Sequence, residues 1–224
     1  MNTKNTLLMK MARESLQGKW GIAMIPGLIF FVISLVLGFI PFIGQIASFL
    51  VAGPLALGIA MFFLSIARGQ ETKTEQMFHG FNDFGRAFLT YILMVIFIIL
   101  WSLLLIIPGV IAALSYAMTF YILADNPSIG ANEAIDKSKV MMKGYKLKLL
   151  GLSLLFFLLG ILCILTLGIG FLWLYPYAQV TMAKFYEDIK NNSKEIKEVK
   201  VEPVQEIKED VKVESVTEDP KQVA

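Results

Sequence analysis

The sequence predicts an all-α fold: a polytopic membrane bundle of six transmembrane helices in three hairpins, with amphipathic interfacial helices on the cytoplasmic side. Three observations predict it. Of 224 residues, 56% are hydrophobic and 17% charged, where a soluble domain carries about 25% charged residues. Charge is absent from three long stretches, 20–67, 87–124 and 149–183. One helical crossing needs about 20 apolar residues, so each stretch has room for two. Each stretch also carries turn residues near its middle: "PFIG" from Pro41, "IPG" from Ile107 and "TLGIG" from Thr166. Proline and glycine are the usual punctuation between helices.

The six crossings fall at about 20–40, 46–67, 87–106, 108–124, 148–165 and 169–186. The first is too long for the roughly 7–15-residue apolar core of a cleaved signal peptide, and no small-x-small site follows it, so it reads as a retained helix. Loop charge fixes the hairpins and their orientation. Short cytoplasmic loops collect Lys and Arg. With three hairpins, all 20 Lys and Arg residues lie on one side and the three opposite turns carry no charge. Single crossings would put Arg68, Lys73 and Arg86 outside and lose that bias. Both termini are therefore expected in the cytoplasm. Trp20, Tyr91, Tyr145 and Tyr186 mark the inner ends of the apolar stretches, and Trp101 and Trp173 the outer ones, as rings at a lipid interface would. Residues 1–190 form the membrane domain. Residues 191–224 are Lys, Glu and Val with Pro203 and Pro220; mixed charge without aromatics cannot bury a core, so a disordered cytoplasmic tail is expected.

Each hairpin is preceded by a segment with an amphipathic helical pattern. In the first, Leu7, Leu8, Met11, Ala12, Ser15 and Leu16 share a face and Gly18 follows. In the second, Thr72 and Glu75 have capping-box spacing ahead of Met77, Phe78, Phe81 and Phe84. In the third, Ala131, Ala134, Ile135, Ser138, Met141 and Met142 share a face, opposite Asn132, Asp136, Lys139 and Lys143. Glu133 and Lys137 make an i,i+4 pair, and Gly144 is placed for a left-handed cap. Such helices are expected in the lipid headgroup layer. The units share a layout: Gly18, Gly85 and Gly144 precede the first helices, and 23 residues later come Pro41, Pro108 and Leu167. Residues 53–68 also correspond to 175–190, with Pro54 matching Pro176 and Phe63 matching Phe185. This points to duplication of a hairpin.

Chemistry is sparse. Cys163 is the only cysteine and His79 the only histidine, which excludes an internal disulfide and a zinc site of the usual kind. No carboxylate or histidine falls within a crossing, which argues against proton coupling through buried acids. No cofactor motif and no nucleic-acid motif is present. Ser115, Thr119, Gln179 and Thr181 are the polar residues best placed to line a path; the simpler role is hydrogen bonding between helices. Ala56 and Ala60, and Ala113 and Ala117, have spacing suited to close helix packing. At the cytoplasmic face, Asp125 and Asn126 could bind a cation or cap the next helix, and Glu133 and Asp136 belong to a solvated, ion-paired surface. Residues 1–190 carry a net charge of +5, expected to attract anionic lipid at the inner surface.

The stretches "LWSLLLIIPGVIAALSYAMTFYILADNPSIGANEAIDKSKVMMKG" (100–144) and "LTLGIGFLWLYPYAQVTMAKFYEDI" (165–189) carry an IPG turn, an Asp-Asn-Pro step followed by a helix with Ser138, a TLGIG turn and a Pro-Tyr with a later Phe-Tyr. In these motifs the chain resembles a family of bacterial multi-pass integral membrane proteins catalogued only as a domain of unknown function. The resemblance spans roughly residues 5–190. It implies a bacterial cell-membrane location and brings no activity, substrate or catalytic residue. The functional expectation is a non-enzymatic structural or protein-interaction role, with membrane proteins as partners. The alternative is a transporter or channel for a small solute.

Overall fold

Backbone hydrogen bonds in this chain close almost entirely within helices. A computed structural model describes residues 3–40 and 42–214, with side chains as far as Asn192. Among the described residues there are nine α-helices, one 3-10 helix and no strand. The α-helices are α1 (Asn5–Leu16), α2 (Trp20–Gly38), α3 (Ile43–Ala67), α4 (Phe84–Leu104), α5 (Ile106–Tyr116), α6 (Thr119–Asp125), α7 (Ala131–Met141), α8 (Lys146–Leu165) and α9 (Phe171–Glu214). The 3-10 helix, Thr74–Phe81, lies between α3 and α4. Among the described residues, five segments are long and apolar enough to cross a membrane: Trp20–Gly38, Ile43–Ala67, Phe84–Leu104, Ile106–Asp125 and Lys146–Leu165. The segment expected as a sixth crossing, 169–186, enters as the first part of α9 and is not one of the five. Tyr175, Pro176, Tyr177, Gln179 and Lys184 dilute its apolar character.

Two helices make the centre. α3 packs against α2, α4, α6, α9 and the 3-10 helix, and α9 packs against α1, α2, α3 and α8. Phe63 of α3 meets Tyr175 of α9 edge to face at 6.0 Å. The buried core includes Leu57, Phe62, Phe63 and Ile66 of α3 with Val180, Ala183, Phe185 and Tyr186 of α9. Pro54 and Pro176 both lie inside these helices and are buried. The two segments that correspond in sequence are thus the two central ones. Close approach is set by glycine: a Cβ on Gly58 would land on the Met77 carbonyl oxygen, and one on Gly80 would land on that of Pro54. Their absence lets the 3-10 helix lie directly on the α3 backbone.

The core is confined to the end of the bundle that carries the charged loops. There α1 buries Leu8, Ala12 and Leu16 at helical spacing, and α7 buries Ala131, Ala134, Ile135 and Ser138. The face read for α7 is the buried one, while that read for α1 is buried at Leu8, Ala12 and Leu16 and exposed at Leu7 and Met11; protein covers the buried parts, α1 lying on α9 and α3, and α7 on α4, α5 and α6. At the opposite, apolar end the helices part. α2 buries only Ala23 and Pro26, α8 only Leu149 and Leu152. Phe31 is 64% exposed, Leu103 83% and Leu167 93%.

Several local expectations need correction. The second apolar stretch does not turn at Ile107–Gly109. The break is at Leu105, which is extended (φ −164°, ψ 148°), and Pro108 sits in the first turn of α5, where its missing N–H leaves no intrahelical bond unmade. The expected crossing 108–124 is two helices, broken at Ala117 and Met118. Thr72 and Glu75 form no capping box: Lys73 precedes the 3-10 helix with no side-chain cap, and the Thr72 hydroxyl donates to the Gln70 carbonyl at 3.1 Å. Gly18 (φ 74°) and Gly144 (φ 82°) are left-handed after α1 and α7, as the cap pattern predicts. Gly85 instead lies within the first turn of α4, so the second unit departs from the shared layout. The "PFIG" and "TLGIG" turns fall between α2 and α3 and between α8 and α9; Pro41 lies outside the described residues. The expected tail, 191–224, falls largely outside the residues whose side chains are described. α9 continues as helix to Glu214, a backbone whose hydrogen bonds are internal and need no core, while 215–224 lie outside the described residues.

Candidate functional site

At the charged end, α3, α6 and α9 terminate or pass close together, and the side chains that follow their apolar stretches meet. Asp125, the last residue of α6, has a side chain only 8% exposed. Its Oδ1 pairs with Arg68 Nη2 at 2.6 Å. Its Oδ2 accepts from the Tyr186 hydroxyl at 2.8 Å and from Lys190 Nζ. The Arg68 guanidinium also forks onto Glu187 Oε1, from Nε at 3.0 Å and Nη2 at 2.6 Å. Burial works to lower the Arg68 pKa, but bonds from Asp125 and Glu187 outweigh it and hold the group above its ordinary value. Buried carboxylates persist only with such partners. Both Asp125 oxygens are taken by the protein's own cations and hydroxyl, so this side chain is an inter-helix anchor. A second pair, Lys148 with Asp188 at 2.8 Å, ties α8 to α9, and Asp188 also accepts from the Thr3 hydroxyl.

Asn126 caps its own helix: its Nδ2 donates to the Ile122 carbonyl at 2.9 Å. The next turn is held by Arg86, whose Nη1 donates to the Asn126 carbonyl at 3.0 Å and the Ile129 carbonyl at 3.3 Å, and also to Pro127. Glu133 and Asp136 are exposed and paired to Lys137 at 2.8 Å and Lys139 at 2.9 Å. The four residues named at this face thus divide: Asp125 and Asn126 are structural, and Glu133 and Asp136 are solvated.

The four polar residues named within the apolar stretches do not converge on one path. The Ser115 hydroxyl donates to the Ile111 carbonyl at 2.6 Å, and that of Thr181 to the Tyr177 carbonyl at 2.7 Å. Each hydroxyl is satisfied within its own helix by the residue four positions back. Ser115 does join two helices, through its carbonyl, which accepts from Ser138 at 2.8 Å. Thr119 is fully buried and its hydroxyl has no partner among the described residues. Gln179 faces a cavity of about 330 Å³ between α2, α3, α6 and α9. Its side chain stands beside the Tyr175 hydroxyl, and Tyr121 closes the floor. Ala56, Ala60 and Ala117 line this cavity rather than seal a close helix contact, and Ala113 is exposed. Ala60 is nonetheless buried in the core, so small residues here serve both the packing of α3 and the wall of the cavity.

Sequence reasoning missed Arg86 as a loop clamp and the Tyr121–Tyr175–Gln179 grouping. The signal for Arg86 was its position in the first turn of α4, immediately before the uncharged stretch that begins at Ala87. The tyrosines offered none, because Tyr121 and Tyr175 lie 54 positions apart and meet only as walls of one cavity. The Tyr121 ring stacks on that of Tyr186 at 5.6 Å, so the cavity floor rests directly on the Asp125 anchor. Among the described residues, no three His, Cys, Asp or Glu side chains stand together as metal ligands would.

The chain matches the family described as "Protein of unknown function (DUF975)" over residues 1–118 and 103–193, and it belongs to that family. No curated protein and no solved structure matches it.

Proposed function

We propose that this family member is a multi-pass protein of a bacterial cell membrane. In this reading it crosses six times in three duplicated hairpins, has both termini in the cytoplasm, and has a non-enzymatic role as a structural or interaction partner of other membrane proteins. One observation carries the reading. Apolar side chains of α2, α4 and α8 are exposed along most of their length, while the ion-paired clusters gather at one end. Exposure on that scale in water would be an aggregation liability; in a bilayer it is the lipid-facing surface. Net positive charge at the inner end would hold anionic lipid there. Support for a non-enzymatic role comes from Asp125, Arg68 and Lys190, which occupy one another, and from the four path candidates, three of which are buried away from the cavity.

Reporter fusions test the topology. An alkaline phosphatase, active only outside the cell, joined after Asn82, Gly130 or Ala224 is expected to be silent, and joined after Phe42, Leu105 or Gly168 to be active. Activity after Ala224 would mean that α9 does not cross, and five crossings would replace six. The cavity at Gln179 favours a second reading, passage of a small solute. In a Cys163→Ala background, single cysteines at Ser115, Thr119, Gln179 and Thr181 can be probed with a membrane-impermeant thiol reagent from each side. The structural role predicts protection at all four. Labelling of Gln179 and a second site from opposite sides would move solute passage to first place.

A further inference from the structure

We propose that the cavity between α2, α3, α6 and α9 binds a neutral amphiphile, a membrane lipid with an uncharged hydroxyl- or ester-bearing head and one hydrocarbon tail, of the monoacylglycerol type. The head end is defined by Tyr121, Tyr175 and Gln179. The Tyr121 ring is buried, 6% exposed, and its side chain lines the open space of the cavity. A buried phenol normally has a partner, and here the open space in front of it is where one would sit. The three groups offer donors and acceptors without charge. A carboxylate or phosphate head would be buried among them with no counter-ion, which is strongly unfavourable.

The tail end is a groove of about 640 Å³ between α2 and the α8–α9 turn, beside the exposed Phe31 and Leu167. Its walls include Met24, Leu28, Phe31, Ile169 and Leu172. Phe30 and Tyr175 line both spaces, so the polar cavity and the apolar groove adjoin across these two side chains, with the head seated in the first and the tail in the second. Both volumes lie within the roughly 300–1,000 Å³ of small-molecule sites. Water alone would satisfy Tyr121 but would leave the Phe30, Ile59 and Phe120 walls of the cavity wetted, a poor exchange for apolar surface. The place of the groove at the apolar end suits a molecule already dissolved in lipid. The inference rests on the proposed membrane placement only for the supply of that ligand.

The test uses the full chain purified in detergent and a diazirine-bearing monoacylglycerol as photo-crosslinking probe. Saturable labelling of residues 24–31 and 169–175 is expected, with monoolein competing about tenfold better than either oleate or hexadecane. Ala56→Leu, which fills the cavity from α3, and Gln179→Leu are each expected to lower labelling about fivefold or more. Tyr121→Phe is expected to reduce the advantage of monoolein over hexadecane without lowering the Tm. Labelling that does not saturate, labelling that all three competitors displace equally, or labelling that Ala56→Leu and Gln179→Leu leave unchanged would overturn the proposal. Because the measurement is made in detergent, its failure would leave the reporter-fusion topology untouched, and a failed topology would not by itself remove the labelling.

Discussion

At the scale of single residues, the chain separates polar groups that hold helices together from polar groups that hold nothing. Asp125 is of the first kind. Asp125→Asn would remove the charge facing Arg68 and Lys190, both about 30% exposed and so partly able to turn to water. A loss of about 2 kcal/mol is expected, between the cost of a charged hydrogen bond and that of breaking a fully buried pair. Chemical denaturation in detergent measures it, and a change below about 0.5 kcal/mol would mean the cluster is ornament on an already stable end. Tyr186→Phe loses the hydroxyl bond to the same carboxylate and is expected to cost about 1–2 kcal/mol. Tyr121 is of the second kind. Its ring stacks under Tyr186 and its side chain lines the cavity, so Tyr121→Phe, which keeps the ring, is expected to be neutral in stability. The two tyrosines look alike in sequence and lie 65 positions apart; only the neighbours of their hydroxyls distinguish them.

At the scale of elements, glycine decides how the 3-10 helix meets α3. Gly58→Ala would drive a methyl group into the Met77 backbone carbonyl. Backbone cannot yield as a side chain can, and a cost of about 1–3 kcal/mol or outright loss of fold is expected. Gly85, in the first turn of α4, has nothing within reach of an added Cβ. Gly85→Ala is expected to stabilise by about 0.5–1 kcal/mol through helix propensity alone. Paired melting curves check both signs; a neutral Gly58→Ala would mean the 3-10 helix does not rest on α3. The contrast shows what the sequence could and could not tell about elements. Apolar length and turn chemistry located α2, α3, α4 and α8, the break between α2 and α3, and the turn at Thr166–Gly170. The faces of α1 and α7 followed from helical spacing, as Leu8, Ala12, Leu16 and Ala134, Ile135, Ser138 show. The IPG motif misled, because proline starts a helix as readily as it separates two, and only the extended Leu105 reveals which. Gly58 and Gly80 were silent, because a glycine inside an apolar run looks the same whether or not another backbone lies against it. The Gln179 cavity was illegible for a related reason: its walls come from four helices, and alanine spacing at Ala56 and Ala60 fits a tight contact and a void equally well.

At the scale of the whole molecule, packing is uneven along the bundle axis, and that asymmetry has a mechanical consequence. The charged end joins α1, the 3-10 helix, α7 and the inner turns of α3, α6 and α9 through apolar contacts, three clamped carbonyls at Arg86 and the paired Asp125 and Asp188. The apolar end has no equivalent; α2 and α8 bury two residues each, all in their first two turns. Regions with few buried contacts open at low free energy, so the outer halves of α2 and α8 are expected to move relative to α3 while the inner end stays fixed. Double electron–electron resonance separates the two. In a Cys163→Ala background, spin labels at Lys10 and Lys73 should give one narrow distance distribution. Labels at Phe39 and Leu165, at the far ends of α2 and α8, should give a broad one that narrows when monoolein is added, since a tail in the groove would bridge α2 to the α8–α9 turn. A narrow outer distribution without lipid would mean that contacts invisible in the burial pattern lock the apolar end. An outer distribution that stays broad with saturating monoolein would mean that the groove does not clasp what enters it, and the hinge would then be a property of the fold without a ligand to use it.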